Sequence, residues 1–304
     1  LDQKVYISQQ VAADFADFKT QLSQAIERPF DLSTEAPIRL SQFTSEGKHY
    51  LLILWHHIAF DGWSTDIFLR ELSQAYQTLL TQGRPSQQGQ SVLPPLAIQY
   101  SDYAFWQRHQ LEGKGLESQM AFWSDTLSGC QTLELPTDHP RPTKVNYQGR
   151  NVALTLDSAL SEQLKTLARD QDTTLYVVML SGFYLTLATL SGQDDIVVGT
   201  PSDNRHQPQT QDLIGYFATS LVLRAQVDLA GTVSDLFKQI HTVMTNAKMN
   251  QDVPFERLID LLNVERDMSR HPLFQVMFGM QSFGHQQLSQ DALPFESVDL
   301  GDEG

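Results

Sequence analysis

The chain has 304 residues, of which 41% are hydrophobic, and its formal net charge is -15. This much apolar sequence predicts one large domain or two packed subdomains and excludes a disordered region. The negative charge repels phosphate backbones and anionic lipids, which disfavours nucleic acid and membrane surfaces as partners. Cys130 is the single cysteine, and the chain opens without the pattern of a secretory signal, so we expect a cytoplasmic protein without an intramolecular disulfide.

The first part of the chain predicts strands and helices in alternation. Residues 5–8 are strand-like, and apolar residues spaced by three and four predict an amphipathic helix over residues 12–26. Strands at 38–43 and 49–55 are expected to form a hairpin around a polar turn. A core-facing apolar stripe predicts a longer helix over residues 64–80.

A proline-rich stretch at residues 135–143 has no apolar period and is the best candidate for a linker. We therefore predict a partial N-terminal subdomain over residues 1–135 and a C-terminal subdomain over residues 136–304. The pattern as a whole predicts a layered α+β protein. Further helices are expected at 100–110, 116–127, 158–169, 175–190 and 233–249, and further strands at 151–156, 195–199, 221–227 and 273–280.

Two further features concern membrane spans and the extent of the chain. The longest apolar runs are far shorter than a membrane span. The chain begins at Leu1 without a methionine and stops in an acidic tail, so we expect it to be an excerpt of a longer polypeptide.

Tyr103 and Trp106, in the helix predicted at 100–110, are expected to be core aromatics.

Titratable side chains cluster once beside a glycine, where His56 and His57 are followed by Asp61 and Gly62 at the end of a predicted strand. A neutral histidine can accept a proton from an amine as the amine attacks a carbonyl. Asp61 is expected to brace the loop, and Gly62 to permit an unusual backbone turn. Structural or surface histidines remain an alternative from these residues alone.

Two other chemistries fit this motif less well. A metal site is disfavoured because adjacent strand residues point to opposite faces and no ligand cluster at suitable spacing completes a shell, so we expect no metal. A serine hydrolase is disfavoured because the chain contains no Gly-x-Ser-x-Gly elbow.

Residues 55–64, with the letters WHHIAFDGWS, resemble the HHxxxDG core of condensation domains from non-ribosomal peptide synthetases. Downstream stretches resemble further motifs of that family in the correct order. These are YSDYAFW at 100–106, IGYF at 214–217 with LVLR at 221–224, NQDVPFE at 250–256 and RDMSRHPL at 266–273. The chain departs from the family where Ala218-Thr219-Ser220 replaces Val-Asn-Thr, where Asn250 replaces a histidine and His271 an asparagine, and in lacking the two motifs that precede the histidines.

The resemblance implies two chloramphenicol acetyltransferase-like subdomains in a V arrangement, the first of them incomplete, with the histidine motif in a tunnel. Donor and acceptor peptidyl carrier proteins dock at its two mouths, beside an adjacent adenylation domain. The implied reaction joins an aminoacyl or peptidyl thioester to an acceptor amine as an amide. The substrates arrive on the phosphopantetheine of the carriers, and the domain itself is expected to bind no cofactor.

The resemblance also implies roles for individual residues. His57 removes a proton from the amine or orients it, and His56 is structural. Asp61 forms an ion pair with Arg205, or with Arg224 as the runner-up. Gly62 offers its backbone N–H to the thioester oxygen or simply allows the turn. The residues expected to line the tunnel or the subdomain interface are Trp63, Ser64, Gln251 and Asp252.

Three alternative functions stay open at this point. An epimerisation domain shares the fold and the histidine motif but inverts an α-carbon. A free-standing acyltransferase would use coenzyme A. A non-catalytic docking module would bind carrier proteins without forming a product.

Overall fold

The computed structural model describes residues 5–83, 92–112, 116–144, 149–262 and 267–281, together with 295, 296 and 298. These residues form an α+β protein that divides into two compact units. The first unit contains the chain up to Tyr100 and the segment Gln207–Phe217. The second unit contains Ser101–His206 and Ala218–Ser282.

The first unit is built on a three-stranded sheet in the order β1-β2-β3. Strand β1 (Ile7–Val11) pairs parallel to β2 (Ile38–Ser45), and β2 pairs antiparallel to β3 (Lys48–Trp55). The β2–β3 turn has only two residues, Glu46 and Gly47, with φ values of 49° and 75°. Positive φ at both positions matches the right-handed twist of the strands, so this tight turn fixes the register of the hairpin.

Two helices complete the first unit. Helix α1 (Phe15–Glu27) lies against the sheet and buries Phe18 in edge contact with Phe43, their ring centroids 5.6 Å apart. Helix α2 (Gly62–Gln82) begins shortly after β3, and a short 3-10 turn, His57–Ala59, lies between them. The histidine pair therefore sits at the joint between the sheet and α2.

The second unit packs six helices and a two-stranded sheet around one larger core. Strands β4 (Asp195–Ser202) and β5 (Thr219–Gln226) pair antiparallel. Helix α6 (Leu175–Ser191) is the most apolar helix, and its buried Tyr184 donates a hydrogen bond to the Leu223 carbonyl at 2.8 Å. The other helices are α3 (Tyr100–Glu112), α4 (Glu117–Leu127), α5 (Ser158–Asp170), α7 (Val233–Met249) and α8 (Phe255–Leu262).

Within the described part of the chain no single helix is long and apolar enough to cross a membrane, although α5 and α6 taken together, bent by 104°, meet the test of length and composition.

The observed division of the chain differs from the predicted boundary at residue 135. Helices α3 and α4, predicted for the first subdomain, belong to the second unit. The physical reason is visible at Trp123, which is buried in the core of the second unit and donates its indole N–H to the Asn250 carbonyl at 2.7 Å. The proline-rich stretch therefore lies within the second unit and does not join two units.

Two predicted strands are wrong. Residues 151–156 form no strand, and Val152 and Leu154 are 93% and 86% exposed, so their alternating pattern has no partner strand. Residues 273–280 form only an isolated parallel bridge between Met277 and Gly199 of β4. The other predicted helices and strands are present with small shifts at their ends.

Candidate functional site

The His57 side chain is exposed and makes a short hydrogen bond to the backbone. Its Nδ1 lies 2.7 Å from the backbone carbonyl oxygen of Phe60. A carbonyl can only accept, so Nδ1 carries the hydrogen and donates it. In the neutral ring the lone pair is then on Nε2, the nitrogen directed away from the backbone. Local geometry alone therefore selects the tautomer that a general base needs at Nε2.

The neighbouring His56 makes contacts of a different kind. Its Nδ1 accepts the Ile58 backbone N–H at 3.1 Å and so caps the 3-10 turn. Its own backbone N–H donates to the Pro37 carbonyl at 2.9 Å, and its ring meets Phe30 edge-on at 5.6 Å. With its Nδ1 occupied by the backbone, His56 shapes the turn that presents His57.

The loop that carries Phe30 is fixed by an arginine. Arg39 lies over the Phe30 ring at 3.9 Å and donates two hydrogen bonds to the Glu35 carboxylate, at 2.6 and 2.9 Å. These bonds hold the pKa of Glu35 down to about 2. Arg39 also binds the carbonyls of Arg28 and Pro29. The Phe30 ring that contacts His56 is therefore held in place by Arg39, a residue of β2 whose guanidinium is itself paired with Glu35.

Asp61 is buried and caps helix α2 at its N-terminus. Its Oδ1 accepts the backbone N–H of Ser64 at 2.9 Å and the Ser64 hydroxyl at 2.7 Å. Its Oδ2 accepts the backbone N–H of Phe217 at 3.1 Å. The same carboxylate therefore starts the helix and fastens a chain segment that lies far away in sequence.

The segment Gln207–Phe217, the return segment, is fastened to α2 at several points. The Ser64 hydroxyl accepts the Gly215 N–H at 3.1 Å, and its single hydrogen is shared between the Asp61 carboxylate and the Gly215 carbonyl, which lies 3.1 Å away. The Trp63 indole donates to the Gln211 carbonyl at 3.1 Å. Tyr100 donates its hydroxyl to the Tyr216 carbonyl at 2.6 Å. These bonds place Tyr216 beside the histidine motif. Its ring is perpendicular to that of His57, with 5.2 Å between the ring centroids.

Gly62 occupies an ordinary conformation, which corrects one prediction. It is the first residue of α2, and the glycines with positive φ in the described part of the chain are Gly47, Gly83, Gly129 and Gly192. No unusual turn therefore requires a glycine at position 62. Its backbone N–H belongs to the first turn of the helix, where N–H groups have no carbonyl partner within the helix and the helix dipole favours negative charge.

Arg224 has a different carboxylate partner from the predicted Asp61. Its guanidinium binds Asp195 through two hydrogen bonds, at 2.7 and 2.8 Å, which pin β5 to β4. Its remaining contacts go to the carbonyls of Thr126 and Ser128. The pKa of Arg224 is raised by the hydrogen bonds to Asp195. Arg205 is buried in the second unit, and its pairing with Asp61 stays a prediction.

A family model of the condensation domain matches residues 4–303. The chain belongs to the condensation-domain family. It is 40% identical over 293 residues to malpinin synthetase from Mortierella alpina, a match that covers 94% of this chain and 4% of that protein. It is 38% identical over 287 residues to a linear gramicidin synthase from Brevibacillus parabrevis, covering 94% and 6%. The chain therefore spans a small fraction of the length of these relatives.

Solved structures agree with this assignment. The X-domain from teicoplanin biosynthesis superposes with a TM-score of 0.79 at 27% identity, over 90% of this chain and 61% of that chain. The four-domain non-ribosomal peptide synthetase AB3403 superposes with a TM-score of 0.78 at 23% identity, over 97% of this chain and 22% of that chain. The predicted α+β, chloramphenicol acetyltransferase-like fold and the resemblance to condensation domains of non-ribosomal peptide synthetases are confirmed.

Two further predicted site residues of this condensation domain lie in its second unit. Gln251 accepts the Ser202 hydroxyl at 2.9 Å. The Asp252 carboxylate accepts Gln119 at 2.8 Å and lies 3.2 Å from His206 Nε2. Both side chains are thus bound within that unit, and a role for them in a tunnel or interface stays a prediction, as it does for Trp63 and the fully buried Ser64.

The predictions of burial for the remaining motif residues are confirmed in one case and wrong in another. Tyr103 is buried as predicted, and its hydroxyl accepts Asn204 at 3.4 Å. Trp106 is 38% exposed, so its prediction as a core residue is wrong. Arg266 lies outside the described residues. Among the residues that the structure describes, no group of three or more His, Cys, Asp or Glu side chains could hold a metal ion.

Sequence reasoning missed two features of this condensation domain. Asp61 precedes Ser64 by three residues at the start of a predicted helix, which is the spacing of an N-cap, and that signal was available. Tyr216 lies within the family-like stretch at 214–217, but the resemblance predicts no role for its side chain. No local signal indicates its contact with His57, because the two residues lie far apart in the sequence.

Proposed function

We propose that this condensation domain forms an amide bond between a carrier-bound aminoacyl or peptidyl thioester and a carrier-bound acceptor amine, with His57 acting on the amine. The observation that carries the proposal is the 2.7 Å hydrogen bond from His57 Nδ1 to the Phe60 carbonyl. It leaves a lone pair on Nε2 of an exposed imidazole. Condensation domains of peptide synthetases are acyl or peptidyl transferases in general, and this chain belongs to their family.

The amine must lose a proton as the bond forms. An unperturbed α-amine has a pKa of about 8, so at neutral pH much of it is protonated and unreactive. The neutral amine attacks the thioester carbonyl carbon, and the new C–N bond forms as the C–S bond breaks. His57 Nε2 takes the proton from the attacking nitrogen and passes it on to the departing phosphopantetheine thiolate, which leaves as a thiol while the imidazole returns to its neutral form. No oxidant or metal is needed to balance this step.

The surrounding residues support the same proposal in different ways. His56 and Asp61 fix the turn and the start of α2, so the backbone that carries His57 is in place before any substrate binds. The Gly62 N–H, in the first turn of α2, can donate to the thioester oxygen as negative charge develops on it. Holding two reactants in a suitable geometry is itself worth roughly 7 kcal/mol or more of the barrier.

The proposed partners follow from the tethered substrates. A donor and an acceptor peptidyl carrier protein would each deliver a phosphopantetheine arm, and an adjacent adenylation domain would select the acceptor amino acid. We propose that the domain itself holds no cofactor. Condensation domains work within synthetases that contain carrier and adenylation domains, and the relatives of this chain are such large synthetases.

The test is amide formation between an aminoacyl-loaded donor carrier and an aminoacyl-loaded acceptor carrier, followed by mass spectrometry. The full-length protein, a His57→Ala variant and a His49→Ala variant are compared. His49 lies in β3 of the same unit, where its ring contacts the Thr44 hydroxyl, and serves as the matched histidine control. We expect product with the parent protein and with His49→Ala, and a loss of roughly 100-fold or more with His57→Ala. Equal rates for His57→Ala and the parent protein would refute the assignment of His57.

A second function is favoured by one structural neighbour. The X-domain from teicoplanin biosynthesis, solved in complex with OxyB, superposes on this chain with a TM-score of 0.79 at 28% identity. A domain of this fold can therefore bind a partner protein. If carriers bind to this chain but no amide forms under any loading, a non-catalytic docking role replaces the proposed transferase.

A further inference from the structure

The Tyr216 ring lies directly against the His57 ring. The two rings are perpendicular, at an interplanar angle of 89° with 5.2 Å between centroids. This edge-to-face geometry is one that aromatic pairs favour because the positive edge of one ring meets the negative face of the other. Tyr216 is itself 42% exposed, so its ring lies against His57 at the surface of the first unit and is not part of a buried core.

His57 needs such a neighbour because its other restraint is small. The ring lies on a short exposed 3-10 turn, and among the described residues its one hydrogen bond is that of Nδ1 to the Phe60 carbonyl. One hydrogen bond at an exposed site contributes little net free energy, since water competes for both partners. A rotation about the Cβ–Cγ bond would exchange Nδ1 with a carbon, break the bond to Phe60 and move Nε2.

The backbone on both sides of Tyr216 is fixed independently of its side chain. Its carbonyl accepts the Tyr100 hydroxyl at 2.6 Å, and the next N–H, of Phe217, binds the buried Asp61 carboxylate at 3.1 Å. On the other side, Gly215 exchanges two hydrogen bonds with the Ser64 hydroxyl. The backbone that carries the Tyr216 ring is thus fixed by hydrogen bonds to Tyr100 and to the N-terminus of α2, the helix that follows the His57 turn.

We infer that Tyr216 is a positioning residue, whose ring keeps the His57 imidazole in the orientation that leaves Nε2 free to act on the amine. The inference rests on the proposed function of His57 and extends it to a residue far away in the sequence. The ring provides the restraint through its faces and edges, and the phenol hydroxyl takes no part in it. Phenylalanine at this position should therefore preserve the effect, and alanine should abolish it.

The test compares Tyr216→Ala and Tyr216→Phe with the full-length parent protein in the amide-forming assay. Tyr6→Ala is the matched control, because Tyr6 belongs to the same unit and is 75% exposed. We expect Tyr216→Ala to lower kcat roughly tenfold to a hundredfold with little change in KM, since small misplacements of a reacting group have effects of that size. Tyr216→Phe should stay within about threefold of the parent rate and Tyr6→Ala should equal it.

Long-range 1H–15N spectra of the histidine rings give a readout that needs no substrate. The His57 signals are assigned by their disappearance in His57→Ala. We expect the parent protein and Tyr216→Phe to show a hydrogen on Nδ1 only, and Tyr216→Ala to show a mixture of the two tautomers. Unchanged spectra and kcat in Tyr216→Ala would overturn the inference, and so would a loss in Tyr216→Phe as large as that in Tyr216→Ala. If the parent protein forms no amide, the proposed function fails while the spectra still decide the role of Tyr216.

Discussion

Replacing Asp61 by alanine should cost more stability than the loss of an ordinary helix cap. The buried carboxylate accepts the backbone N–H groups of Ser64 and Phe217, and both would lose their acceptor. Loss of a cap costs about 1 kcal/mol, and a buried N–H without a partner costs roughly 1–3 kcal/mol. The Ser64 hydroxyl keeps the Gly215 carbonyl as its acceptor, so it adds little to this cost. We therefore expect the free energy of unfolding to fall by roughly 2–4 kcal/mol.

Asp157→Ala is the matched control for this prediction. Asp157 caps α5 by accepting the Leu160 N–H at 2.7 Å, but it lies at an exposed site and, within the part of the chain that the structure describes, binds no second segment. Its replacement should cost about 1 kcal/mol. Asp61→Asn should fall between the two variants, because one amide group of the asparagine would face an N–H where the carboxylate offered an acceptor.

The assay is urea unfolding, with hydrogen exchange at the Phe217 amide as a local readout. The exchange measurement is needed because a chain of two compact units can unfold in more than one transition. We expect Phe217 to exchange faster in Asp61→Ala and in Asp61→Asn and to be unaffected in Asp157→Ala. If Asp61→Ala destabilises no more than Asp157→Ala and Phe217 stays protected, the reasoning about the shared carboxylate is refuted.

Three further predictions concern single positions. Gly215→Ala should destabilise the protein by roughly 1–3 kcal/mol in urea, because a Cβ there would overlap the Tyr100 ring, and an unchanged stability would contradict this. Gly182→Ala, in α6 with open space at its Cβ, should instead stabilise by about 1 kcal/mol in the same assay. Burial lowers the pKa of His271 below its usual 6.5, so the unfolded chain binds more protons below neutral pH and the free energy of unfolding should fall as the pH drops through 6.5. His271→Asn should flatten that slope between about pH 7.5 and 5.5, and an equal slope in both proteins would argue against His271 as the cause.

The sequence predicted local structure well, because its signals are local. The hairpin and the helix α7 follow from a polar turn between two strand patterns and from apolar spacing, although the turn was predicted over residues 44–48 and is confined to Glu46 and Gly47. The position of the histidine pair after β3 followed from the same reasoning. In contrast, residues 151–156 alternate like a strand but have no partner, since alternation shows which residues could pair and not whether a second strand is present.

The assignment of α3 and α4 to a unit illustrates a second limit. An amphipathic helix reveals that one of its faces is buried, but not which core buries it. Trp123 joins α4 to the second unit through a hydrogen bond to Asn250, 127 residues away. The pairing of Arg224 with Asp195 is similarly a consequence of the register between β4 and β5. The motif that contains Arg224 does not indicate which carboxylate this arginine binds.

The way in which the return segment is fastened explains how the site can combine rigidity with a variable side chain beside His57. The groups of the segment that bind Trp63, Ser64, Tyr100 and Asp61 are all backbone N–H or carbonyl groups. Backbone groups are present whatever the side chain, so these bonds place no demand on the side chain of Tyr216. The residue at 216 can therefore change without loosening the segment. Tyr216→Ala should alter the orientation of His57 while leaving the unfolding free energy within about 0.5 kcal/mol. This separates it from Asp61→Ala and Gly215→Ala, where the orientation of His57 should be lost and the stability should fall together.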